Sequence, residues 1–171
     1  MTNEELNKLQ YYIGKRQQGQ TDEQIIAHIE NTNKQTPLTD EEWRKLFFPV
    51  CANADLTIFK FLLSKVSQIA DVNELMIHTL RFRNPKYEQE QVEILRILFQ
   101  FIGEQNRVDI LNNALMYAAW FGEFEAAKFL IEAGADIKFV GSNGKSILES
   151  SQNAVEKFED CRVHDYVTAL L

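Results

Sequence analysis

Between residues 113 and 138 the apolar positions fall into two helical stripes, each followed by a glycine. Leu115, Ala118 and Ala119 stand at i, i+3 and i+4, one face of a first helix. Ala126, Phe129 and Leu130 repeat that spacing in a second. Gly122 and Gly134 come where each helix must end and the chain turn, and glycine reaches positive φ there without a Cβ clash. The small pair Ala118-Ala119 lets the first helix lie close against a neighbour. Two amphipathic helices of this length cannot bury their faces alone, so the pattern predicts a stack of such pairs.

The stretch N-A-L-M-Y-A-A-W-F-G-E-F-E-A-A-K-F-L-I-E-A-G-A-D-I-K resembles one ankyrin repeat, whose pattern runs T-P-L-H-x-A-A-x-x-G, a second apolar helix, then L-L-x-x-G-A-D. Leu115, Ala118-Ala119, Gly122, Lys128-Phe129-Leu130-Ile131 and Gly134-Ala135-Asp136 carry the resemblance. Asn143-Gly144-Lys145-Ser146-Ile147-Leu148 is similar to the opening of a further unit, and Leu148 follows Leu115 by 33 residues, the ankyrin period. Its outer helix would be Tyr166-Val167-Thr168-Ala169-Leu170-Leu171, which arrives late and implies a lengthened loop around 155–161. Upstream, Phe59-Lys60-Phe61-Leu62-Leu63 matches Ala127-Lys128-Phe129-Leu130-Ile131 at a shift of 68 residues, and the same shift sets Val50-Cys51 on Ala118-Ala119 and Leu56 on Phe124. Leu75-Met76-Ile77-His78-Thr79-Leu80 and 92–99 supply an inner and an outer helix between them, with an insertion at 83–88. Taken alone these upstream units are any helical hairpins; the shared period joins them to the clear one. The expected fold is an all-α, ankyrin-type solenoid of about four divergent helix-turn-helix repeats in one compact domain, at roughly 39–70, 71–107, 108–140 and 141–171.

The first forty residues do not fit the repeat. Leu6, Leu9, Tyr12 and Ile13 share a helical face, with Glu4 and Glu5 in the first turn where carboxylates favour the dipole. Thr21 or Asp22 caps a short helix with Ile25, Ile26 and Ile29 on one face, which the polar run 31–35 and Pro37 then end. Thr39-Asp40-Glu41-Glu42 is a capping box ahead of Trp43, Leu46 and Phe47. Solenoids need atypical ends, so residues 1–38 are expected to form a helical N-terminal cap.

Composition adds limits. A chain of 171 residues at 45% hydrophobic content can bury a full core in one domain. No run has the length of a membrane span, and the polar start at Asn3, Glu4 and Glu5 is unlike a signal peptide. Two cysteines, Cys51 and Cys161, suit a reducing compartment, and a cytoplasmic location is expected. A net charge of −7 disfavours nucleic acid, which needs clustered Lys and Arg to release counterions. The basic cluster Arg81, Arg83 and Lys86 only flanks an insertion.

Reactive chemistry is sparse. Cys161 and His164 form C-x-x-H, but His28 and His78 lie in other elements and no second ligand pair stands at metal spacing. Gly141-Ser142-Asn143-Gly144-Lys145-Ser146 is two residues short of a phosphate loop and lacks the preceding buried strand. No enzyme, cofactor or metal is expected.

In ankyrin arrays the hairpin tips and the exposed side of the inner helices form a concave binding surface, with the two residues before the inner-helix glycine projecting into it. Here the resemblance places Trp120 and Phe121 there, and large aromatics dominate interface hot spots. Either ring could instead fold over a neighbouring inner helix, against Leu80 or Asn153. By register the matching sites are Ala52-Asn53, Leu80-Arg81 and Asn153-Ala154, joined by finger residues Asp109, Ser142, Asn143 and Lys145. The resemblance implies non-enzymatic protein binding. A small acidic protein of this family is similar to immunity proteins that neutralise bacterial toxins, many of them basic nucleases; the alternative is a secreted effector or scaffold.

Overall fold

The computed structural model describes residues 1–14 and 19–171. The helices are α1 (Asn3–Gly14), α2 (Asp22–Gln35), α3 (Asp40–Lys45), α4 (Phe47–Ala52), α5 (Leu56–Leu63), α6 (Val72–Arg81), α7 (Glu88–Phe99), α8 (Arg107–Phe121), α9 (Phe124–Glu132), α10 (Ile147–Phe158) and α11 (Arg162–Leu170). No strand forms among the described residues; one isolated antiparallel bridge, Val140 to Ser146, closes the hairpin between α9 and α10.

The helices stack in two rows. In the inner row α1 packs on α4, α4 on α6, α6 on α8 and α8 on α10. In the outer row α2 meets α5, α5 meets α7, α7 meets α9 and α9 meets α11. Each inner helix also contacts the outer helix that follows it. The fold is therefore all-α and built of stacked helical hairpins. The N-terminal pair α1–α2 continues both rows; the expected cap also includes residues 15–18, which lie outside the described residues.

Local chemistry starts and stops these helices. Thr21, Thr39 and Ser146 each accept a hydrogen bond from the third helical residue, whose Gln24, Glu42 or Glu149 side chain returns to the cap. The run 31–35 does not end α2 but forms its last turn; the helix stops at Thr36, and Asn33 Oδ1 takes the Leu38 N–H at 2.8 Å. Pro49 has no N–H to give the Lys45 carbonyl, which accepts Gln10 Nε2 at 2.8 Å instead. That bond ties α1 to the α3–α4 break.

The 68-residue shift is visible in hydrogen bonds. After α4, Ala54 takes φ 55° and Asp55 N–H donates to Val50 O at 3.0 Å. After α8, Gly122 takes φ 73° and Glu123 N–H donates to Ala118 O at 2.9 Å. Asp55 and Glu123 are both buried and both precede an outer helix. The α10 end repeats the device, with Glu159 at φ 55° and Asp160 N–H on Ala154 O at 3.4 Å.

That last end corrects an expectation. Leu148 lies 33 residues after Leu115, but Glu159 lies 37 after Gly122. The four extra residues do not lengthen a loop; they add about one turn to α10, which runs to Phe158, and α11 begins early, at Arg162.

Candidate functional site

The α8 face turned away from Leu115, Ala118 and Ala119 carries Asn113, Met116, Tyr117 and Trp120 at helical spacing. With Phe121 they floor a cleft of about 380 Å³, walled by Arg81 at the end of α6, by Gly141, Ser142 and Asn143 of the hairpin, and by Ser150 of α10. Trp120 and Phe121 are half-buried and Tyr117 is 37% exposed. Tyr117 stacks on Phe121 with centroids 6.5 Å apart. A second cleft of about 360 Å³ shares Arg81 and Phe121 and includes Asn53, Phe82, Tyr87 and Phe158.

Trp120 holds its place through three neighbours. Lys145 Nζ sits 4.9 Å from the ring centroid and Lys157 Nζ 5.6 Å. Asn153 Nδ2 donates to the Trp120 carbonyl at 2.8 Å, satisfying an acceptor that the helix end leaves open. Asn53 does the same near the other end of the inner row, donating to Ile13 O at 3.4 Å.

Of the residues singled out in the sequence, Arg81, Trp120, Phe121, Ser142 and Asn143 line the first cleft, Lys145 packs on it and Asn53 lines the second. Three placements need correction. Leu80 is 0% exposed and belongs to the core between inner helices, so it projects into no surface. Asp109 is not on a hairpin finger; it stands exposed in the first turn of α8, one turn before Asn113. Asn153-Ala154 are not the counterparts of Trp120-Phe121, because the extra turn of α10 moves that position to Lys157-Phe158, directly before Glu159, and Ala154 is buried. Tyr117 and Met116 were missed although they lie three and four residues from Trp120 on one helical face.

Beside the clefts lies a charged cluster that joins three hairpins. Arg83 Nη2 donates to Asp160 Oδ2, and Arg162 Nη2 to the same oxygen at 2.8 Å. Arg162 also reaches Glu88 at 3.6 Å. Burial pushes the Glu123 carboxyl up to about 7, opposed by a hydrogen bond with Gln91 and by the charge of Arg83. Gln91 Nε2 in turn donates to Thr79 O at 2.7 Å.

The thiols lie elsewhere. Cys51 is wholly buried and burial pushes it up to about 12, so it packs as a small hydrophobe. Cys161 is exposed, and the Asp165 carboxylate holds its thiol above the ordinary range, which opposes the thiolate that a nucleophile needs. His164 Nδ1 is 3.0 Å from the hydroxyl of buried Ser151. Among the described residues no group of three or more His, Cys, Asp or Glu could hold a metal ion, and no helix is long and apolar enough to cross a membrane.

Residues 111–141, covering most of α8, all of α9 and the start of the hairpin, match the family profile of the ankyrin repeat. This segment therefore carries one ankyrin repeat, which lies at the centre of the cleft just described. Ankyrin repeats serve as a rule in protein–protein interaction rather than catalysis. Comparisons with curated proteins and with solved structures each gave no match.

Proposed function

We propose that the chain binds another protein through the α8 face around Trp120 and Phe121, and that it does so as an immunity protein that occludes a bacterial toxin. The observation that carries the binding site is the pair of half-buried aromatic rings flooring a solvent-open cleft between α6, α8 and the 141–146 hairpin. Rigid aromatic surface of this kind buries a large area at low rotamer cost, which makes it effective at interface centres. The immunity role is supported by family analogy and by the net charge of −7, which raises the encounter rate with a basic toxin domain.

Affinity capture from the native source tests this reading, with wild type and Trp120→Ala used side by side. One protein should be retained by wild type and lost from the variant, and its expression alone should arrest growth unless this chain is co-expressed. Equal capture by both baits would remove the site, and a captured protein without toxicity would remove the immunity role.

A further inference from the structure

The charge around the first cleft opposes the charge of the whole chain. The sequence holds 25 Asp and Glu against 18 Lys and Arg, yet none of the residues lining either cleft is acidic. Three cations from three elements surround the aromatic floor: Arg81 from α6, Lys145 from the hairpin and Lys157 from the added turn of α10. None of the three forms an ion pair among the described residues. The carboxylate nearest Lys145 along the chain, Glu149, is taken by its own capping box, accepting from Ser146 N and Oγ at 2.7 and 2.8 Å. Neighbouring Asp160 is engaged by Arg83 and Arg162.

We propose that this cleft seats an acidic segment of the partner protein, with one apolar side chain on Trp120 and flanking carboxylates meeting Arg81, Lys145 and Lys157. The inference rests on the reading that the α8 face is where the partner docks. Net charge acts at the range of approach, whereas the cleft's own cations act at contact. A basic segment would set like charge against three ammonium and guanidinium groups in one concave site. A carboxylate would relieve that repulsion and also accept hydrogen bonds from Asn113, Ser142 and Asn143, which line the same cleft. Two ammonium groups already lie 4.9 and 5.6 Å from the Trp120 ring centroid, so a further cation from the partner meets like charge there. A nucleic acid could offer the same anionic chemistry, but the chain's charge of −7 repels a polyanion over its length.

The full chain, immobilised, is panned against random linear peptides displayed on phage, and the recovered peptides are synthesised with a fluorescent label. Their affinities are read by anisotropy on wild type, on Trp120→Ala and on the doubly charge-reversed Arg81→Glu, Lys145→Glu chain. The expected peptides are rich in Asp and Glu around an apolar residue, and lose about tenfold or more in affinity on each variant and with added salt. Should Trp120→Ala fail to fold, the charge reversal at two exposed positions decides alone. Recovery of basic, uncharged or no peptides overturns the proposal, as do acidic peptides that bind the charge-reversed chain equally well. A labelled oligonucleotide that binds wild type and outcompetes the peptides also overturns it. Native capture separates the two readings. Loss of capture by Trp120→Ala with failed peptides leaves the docking face standing without an acidic occupant. Unchanged capture with well-behaved peptides leaves an acid-preferring cleft that is not the docking face.

Discussion

Arg83 and Asp160 pair across 77 residues of sequence, joining the connection after α6 to the turn after α10. The bond passes over the end of α8, where Asp160 Cβ lies 3.9 Å from the place a Cβ on Gly122 would occupy. It thereby latches three consecutive hairpins and covers the buried Glu123 carboxyl beneath. Nearest-neighbour stacking is the rule in a solenoid, and this contact skips one layer.

Asp160→Ala should cost on the order of 1–3 kcal/mol, because it leaves the half-buried Arg83 without its acceptor. Arg162, then Arg83, holds the Asp160 carboxyl below its ordinary range. Its contribution is therefore full above the unfolded pKa and lost as pH falls through the folded one. Urea midpoints along an acid series should show the wild-type advantage shrinking towards low pH. A gap that stays constant would mean the pair stabilises through packing alone.

Close helix approach gives a second expectation. A Cβ on Gly122 would sit 2.9 Å from Ala154 Cβ, and the residue's φ of +73° already disfavours a side chain. Gly122→Ala should destabilise by roughly 1–3 kcal/mol, and Ala118→Leu by a similar amount through overpacking of a wholly buried position. Thermal melts decide it. Unchanged melting in both variants would contradict the stacking of α8 against its neighbours.

Glu123 gives a pH dependence of opposite sign. Its folded pKa of about 7 stands above the unfolded value near 4.5, so the folded state holds the proton longer. The protonated form's stability is full below the unfolded pKa and lost as pH rises through the folded one. The groups facing it are Gln91, Arg83, Glu88 and Arg162. Glu123→Gln removes the charge at nearly the same size, so it should exceed wild type by roughly 2–3 kcal/mol at about pH 8.5 and match it at about pH 4. Equal stability across that range would place an ionised Glu123 in a solvated setting.

The C-x-x-H pair should behave as structure rather than chemistry. Cys161→Ser at an exposed site should leave the melting temperature unchanged. His164→Ala should lose about 1 kcal/mol, because the Ser151 hydroxyl at 3.0 Å loses one partner while keeping the Leu148 carbonyl at 2.7 Å. Stoichiometric zinc in purified protein, absent from either variant, would contradict this.

The fold was legible because its signals are local. Small pairs such as Ala118-Ala119, glycine stops and the capping box at Thr39 act within a few residues, and the 68-residue shift carried the pattern to Val50-Cys51 and Leu56, between which the chain turns at Ala54 without any glycine. Register failed where length changed. One inserted turn in α10 exchanged Asn153-Ala154 for Lys157-Phe158, and no local pattern marks it. Leu80 was misplaced because the α6 end has no left-handed residue; its C-cap Phe82 is extended, so the two-before-the-turn rule had no anchor. The Arg83–Asp160 latch was invisible for a simpler reason: partners 77 residues apart meet only once the stack is built.

Whether Trp120 anchors a protein partner is measured by the affinity of the natively captured partner for wild type and Trp120→Ala. With the fold verified by circular dichroism, the variant should lose on the order of 2 kcal/mol, about thirtyfold in Kd, and Phe121→Ala somewhat less. A folded Trp120→Ala chain that binds with wild-type affinity would contradict that anchoring role and move recognition to the 82–88 connection or the far end of α10.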